Sequence, residues 1–83
     1  MPVTVTLLGP LRELAGISRV QSLAPSVRAL LDDLAGQFGE EFARRARRSR
    51  ILVNGEPIQF GRGVATELHD GDAVALLFPV GGG

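Results

Sequence analysis

Eighty-three residues make one domain, able to bury only about 60–65% of the surface its unfolded chain exposes. Cysteine is absent, which removes disulfides, thiolate metal sites and a cysteine nucleophile, and the single histidine, His69, cannot build a histidine-rich metal site. Nine arginines balance nine acidic residues with no lysine at all, so net charge gives no reason to expect nucleic acid or a membrane as partner.

Val3 to Leu8 alternates with period two and is rich in β-branched residues, which predicts a strand with Val3, Val5 and Leu7 inward and Thr4, Thr6 and Leu8 outward. Gly9-Pro10 ends it. Leu11 to Ala15 suits one helical turn stopped by Gly16, and Ser18 to Leu23 returns as a second strand hairpinned to the first. Ser26 then fits an N-cap, and Val27, Leu30, Leu31, Leu34 and Phe38 follow at helical spacing up to Gly39. Glu40 to Arg48 reads as a second short helix with Phe42 and Ala46 inward.

Asn54-Gly55 lies between the apolar runs Ile51–Val53 and Pro57-Ile58, as in a two-residue hairpin turn whose central residues both take positive φ. Pro57 makes the returning strand short or an edge. After Gly61 and Gly63 come a polar stretch and the turn Asp70-Gly71-Asp72, then eight apolar residues from Ala73 to Val80 that read as a central strand. The first and last strands, being the most apolar, belong side by side in the middle. The expectation is an α+β β-grasp (ubiquitin-like) fold, a mixed sheet of four to five strands on one main helix. Residues 1–80 would form that domain, with 81–83 as a flexible tail.

Gly81-Gly82-Gly83 cannot pack or cap, and glycine carries the largest backbone entropy. Seen alone, such an end reads as a frayed terminus or an expression scar. Its departure from the central strand favours another reading. The root is held, the thread is narrow enough to enter another protein's tunnel, and no neighbouring Cβ hinders attack on the last carbonyl carbon. A carboxylate is a poor acyl donor until adenylation by ATP supplies a leaving group. Such a domain needs no acid, base or nucleophile of its own, and is non-catalytic alone.

Leu11-Arg12-Glu13-Leu14-Ala15-Gly16, Val53-Asn54-Gly55, Asp70-Gly71-Asp72 and the ending Phe78-Pro79-Val80-Gly81-Gly82-Gly83, in this order, resemble the ubiquitin-like sulfur carriers of the MoaD/ThiS type. The likeness spans essentially the whole chain and is nearest to small subunits of molybdopterin synthase. It implies that an adenylating enzyme of the ubiquitin-activating type, using ATP and Mg, activates Gly83. A persulfide donor then makes the thiocarboxylate, and insertion of Gly81 and Gly82 into a large catalytic subunit delivers sulfur to cyclic pyranopterin monophosphate. This chain would be the small subunit of that sulfurtransferase, binding no cofactor or metal itself. Phe78-Pro79 stands where the molybdopterin branch often has Pro-Pro, and a triple glycine is as familiar among thiazole-forming carriers. Length and the Leu-Arg-Glu-Leu-Ala-Gly segment favour the molybdopterin branch. Carriers for thiazole or cysteine synthesis, and ubiquitin-like protein modifiers, are the alternatives.

One helix covers one sheet face, so Leu8 and Leu77 are expected together on the other face, near Ile58, as a docking patch rather than scattered surface leucines. The resemblance adds Arg12, Pro79 and Val80 to that partner interface; without it Arg12 reads as an ordinary solvated arginine. Arg44, Arg45, Arg47, Arg48 and Arg50 form a basic cluster that suits an anion or, more simply, a solvated helix end. No aromatic residues interleave with it to stack bases, which argues against nucleic acid. His69, Asp70 and Asp72 read as turn residues rather than catalytic groups. With no apolar run near the ~20 residues of a membrane span and no basic-then-apolar leader, cytoplasm is the expected compartment.

Overall fold

The alternation at the N-terminus makes strand β1 (Val3–Leu8), with Val3, Val5 and Leu7 buried and Leu8 exposed. The computed structural model describes residues 2–78. Helix α1 (Pro10–Ala15) follows, its proline in the first turn, where the missing N–H costs nothing. Strand β2 (Arg19–Ser22) returns antiparallel to β1, with Val5 opposite Val20.

Helix α2 (Val27–Phe38) opens on Ser26, whose Oγ accepts from the Ala29 N–H at 3.1 Å. Its stripe of Val27, Leu30, Leu31 and Leu34 is buried against the sheet. Gly39 closes α2 and opens helix α3 (Glu40–Arg47) with no residue between them. Phe38 and Phe42 meet across this junction with ring centroids 5.0 Å apart, and Phe42 and Ala46 are buried as expected. Acidic Glu40 and Glu41 at the start of α3 and arginines at its end both match the helix dipole.

Strands β3 (Arg50–Val53) and β4 (Glu56–Pro57) form the expected hairpin, Asn54 and Gly55 having φ of 52° and 85°. Beyond β4 lie two 3-10 turns, Ile58–Phe60, where the expected apolar run ends at Ile58, and Gly63–Ala65, at the start of the expected polar stretch. Ile58 packs against the buried cluster on the helix side, so it does not join Leu8 and Leu77. Strand β5 (Ala73–Leu77) is shorter than the expected 73–80: the ladder stops at Leu77, Phe78 follows outside it, and Pro79 and Val80 lie outside the described residues.

The strand order is β2-β1-β5-β3-β4, with β1 and β5 parallel at the centre and α2 across one face. This is the β-grasp arrangement. Among the described residues no helix is long and apolar enough to cross a membrane.

The Asp70-Gly71-Asp72 turn and the Asn54-Gly55 turn are tied together. Asn54 Nδ2 donates to Asp72 Oδ1 at 3.0 Å, Asn54 Oδ1 accepts from the Ala73 N–H at 2.9 Å, and the Asn54 N–H donates to the Ala73 carbonyl at 2.7 Å. The His69 N–H donates to Asp72 Oδ2 at 2.8 Å. These donors, Asn54 first, hold the Asp72 carboxyl below the ordinary aspartate range. A folded pKa below the unfolded one stabilises the protein above the unfolded value of about 3.9, and the contribution fades as pH falls through the folded value. In urea titrations the stability gap between wild type and Asp72→Asn is therefore expected to be full at neutral pH and to narrow steadily below about pH 4. Phe42→Ala should lower the urea-unfolding free energy by about 3–5 kcal/mol, because no solvent-exposed rotamer is lost and a cavity is left at the α2–α3 junction.

Candidate functional site

Residues directly paired on neighbouring strands project to the same sheet face. The register pairs Leu8 with Leu77, Thr6 with Ala75 and Thr4 with Ala73, and α2 lies on the other side. Leu8 and Leu77, each 37% exposed, thus stand together on the uncovered face, as the alternation in both strands predicts. β3 extends the same face: Leu52 pairs with Ala75 and also with Pro57 of β4, giving an apolar centre.

Arg50 pairs with Leu77 and so borders this centre. Grouping it with the helical arginines misses that placement. The signal was present in the sequence, since Ile51 inward puts Arg50 outward beside Leu52. On β2, Arg19 pairs with Thr6 and forms the other margin. The patch is apolar in the middle and cationic at both sides, an arrangement suited to a partner face with a hydrophobic centre and acidic rim.

Arg12 is exposed on α1, four residues after Leu8. Gly9 sets the direction of that helix. Its φ of 62° and ψ of −138° fall in a region nearly reserved for glycine, and the Arg12 N–H donates to its carbonyl at 3.0 Å. A Cβ built on Gly9 would lie 3.8 Å from the Phe78 carbonyl oxygen, so the start of α1 runs beside the chain as it leaves β5. Leu8, Leu77 and the approach to the glycine tail therefore share one end of the sheet. Pro79, Val80, Gly81, Gly82 and Gly83, the remaining expected site residues, lie outside the described residues.

The basic cluster divides. Glu41 binds both Arg44 and Arg45, Arg47 stands 3.9 Å from Asp32, and Arg50 belongs to the sheet. Between α2, β3 and the 3-10 turns lies an open cleft of about 470 Å³ lined by Arg28, Leu31, Asp32, Arg47, Ile51 and Ile58, among others. Ser49, also on its wall, donates its hydroxyl to the Ala46 carbonyl at 2.6 Å and Asp32 faces Arg47. Neither side chain is paired with a general base. Among the described residues no group of three or more His, Asp or Glu is placed to hold a metal ion.

Comparison with known proteins bears on the same features. The model of the ThiS family matches residues 5–83. A search of curated protein sequences gives no significant match. Among solved structures, a chain of the Amycolatopsis orientalis BexX/CysO complex is 30% identical, with 98% of this chain and 99% of that chain covered and a TM-score of 0.83. Small archaeal modifier protein 1 from Methanosarcina acetivorans is 28% identical over 99% of this chain and 96% of that one, with a TM-score of 0.82. A chain of the complex of subunits 1 and 2 of molybdopterin-converting factor from Helicobacter pylori 26695 is 29% identical over the full length of both, with a TM-score of 0.72. A family match over nearly the whole sequence, on a sheet that pairs its first and last strands and leaves one apolar face open, has one reading: this chain belongs to the ThiS family of ubiquitin-like sulfur carriers and modifiers.

Proposed function

We propose that this protein carries sulfur as a thiocarboxylate on Gly83 and delivers it in molybdopterin synthesis, as the small subunit of a two-subunit synthase. The supporting observation is the position of Leu8 and Leu77. A docking face placed where β5 ends lets one partner bind the body and receive the residues that follow Leu77 in the same encounter. The likeness to molybdopterin-converting factor subunits supports the choice of acceptor.

Charging takes three steps. A Gly83 carboxylate oxygen attacks the α-phosphorus of ATP on the adenylating partner and pyrophosphate leaves. The terminal sulfur of a donor persulfide attacks the acyl carbon and AMP leaves, which gives an acyl disulfide. A thiol cleaves that S–S bond, supplies the electron pair and is itself left in a disulfide, freeing the thiocarboxylate. Activation makes the difference, because adenylate is a far better leaving group than oxide. This chain contributes the reacting group and its placement; ATP and Mg belong to the activating partner.

The likeness to a chain of the BexX/CysO complex favours a second reading, in which the same thiocarboxylate serves another acceptor, such as a thiazole or cysteine precursor. A third, that of a protein modifier, predicts isopeptide bonds to target lysines; the chain has no lysine of its own on which to build linked chains.

Incubation with adenylating enzyme, ATP and a persulfide donor is expected to raise the intact mass by the difference between sulfur and oxygen, and removal of Gly83 to abolish the gain. An unchanged mass with a demonstrably active enzyme overturns the carrier reading. Transfer to a pterin-binding large subunit, set against transfer to a thiazole synthase, separates the acceptors. Leu8→Asp and Leu77→Asp should each weaken binding to the adenylating enzyme by about tenfold or more, roughly 1.4 kcal/mol, with the urea midpoint little changed. Isothermal titration calorimetry measures the binding and urea titration the stability.

A further inference from the structure

Phe78 is the last described residue before the glycine tail, and the sheet no longer holds it, since the β5 ladder ends at Leu77. Its side chain does the holding. Alternation turns Phe78 to the same side as Val74 and Leu76, and it packs half-buried against the core. Above the ring lies Arg45 of α3, its guanidinium carbon 5.7 Å from the ring centroid. Arg45 is itself oriented from behind: Nε donates to Glu41 Oε2 at 2.9 Å, while Glu41 Oε1 lies 3.1 Å from a terminal nitrogen of Arg44. One carboxylate thus takes up two arginines and leaves the guanidinium of the second over an aromatic ring, a delocalised cation that a lysine ammonium replaces only as a point charge.

We propose that Arg45 is a positioning residue for the tail, acting through Phe78. The Glu41–Arg45–Phe78 stack clamps the root from which residues 79–83 extend. Fixing Phe78 fixes the point from which the remaining chain starts, so the clamp reduces the range of starting directions a partner's tunnel must accept. Such preorganisation lowers the cost of capture and leaves the chemical step alone. The role rests on the reading of Gly83 as the reacting end. It gives one arginine of the basic cluster a function tied to the tail, while Arg44 serves to orient Glu41.

Five proteins test it: wild type, Arg45→Ala, Arg45→Lys, Phe78→Leu and the Arg45→Ala/Phe78→Leu double variant that closes the cycle. In the free carrier, ¹⁵N relaxation should show a lower order parameter at position 78 in Arg45→Ala and an intermediate value in Arg45→Lys. In thiocarboxylate formation by adenylating enzyme, ATP and persulfide donor, Arg45→Ala should raise KM for the carrier about two- to fivefold with kcat retained, the factor an exposed cation–π contact supplies. The double variant should be no worse than the poorer single one. An unchanged order parameter at Phe78 in Arg45→Ala overturns the positioning role whatever the sulfur assay gives. An unchanged KM, or a loss that merely follows the melting temperature, overturns it as well. A wild-type carrier that never acquires sulfur overturns the carrier reading separately, because the relaxation measurement needs no partner.

Discussion

Parallel pairing of β1 with β5 is the constraint on which the rest depends. Parallel neighbours cannot be joined by a tight turn, so everything between Leu8 and Ala73 forms the crossover that allows the two strands to lie side by side. That crossover supplies α2 to cover one face, and the pair itself supplies the core through Val5, Leu7, Val74 and Leu76. The same register sets Leu8 against Leu77 on the other face. Core formation and construction of the docking patch are therefore one event: a slip of one residue between these strands would turn the leucines inward and expose the valines.

Most of this was legible because local signals agreed with the global arrangement. Thr4 and Thr6, alternating with buried Val3, Val5 and Leu7, declared both the strand and its outer face. Ser26 marked the start of α2 through its hydroxyl, and Asn54-Gly55 specified a turn that few other residue pairs enter. The less visible parts were those whose cause is tertiary. Ile58–Phe60 and Gly63–Ala65 have neither period two nor a sustained helical stripe, so neither 3-10 turn was signalled. Ile58 was expected near the open-face leucines, yet with Pro57 paired to Leu52 on that face the alternation itself turns Ile58 to the helix side. The apolar run from Ala73 to Val80 overstated β5, since hydrophobicity measures burial and not ladder hydrogen bonds; Phe78 is partly buried by its ring alone.

Electrostatics follows the same division. Five arginines in seven positions look like one basic surface in the sequence, yet four of them go to three destinations: two meet Glu41, one faces Asp32 and one borders the open sheet. The folded arrangement replaces a uniform positive run by a partly neutralised helix flank and a cationic margin beside an apolar patch. At the other end of the sheet the Asn54 side chain and the His69 N–H donate to Asp72 and hold its carboxyl below the ordinary aspartate range.

Gly39 joins α2 to α3 without a spacer, and that economy sets an angular phase between the two helices. A single residue added within the first turn of α3 would rotate everything after it by about 100° about the helix axis. Phe42 would leave its place beside Phe38, and the guanidinium now over Phe78 would point to solvent. Homologues with a longer joint here must hold the last aromatic of the final strand by some other means, or present their termini less firmly.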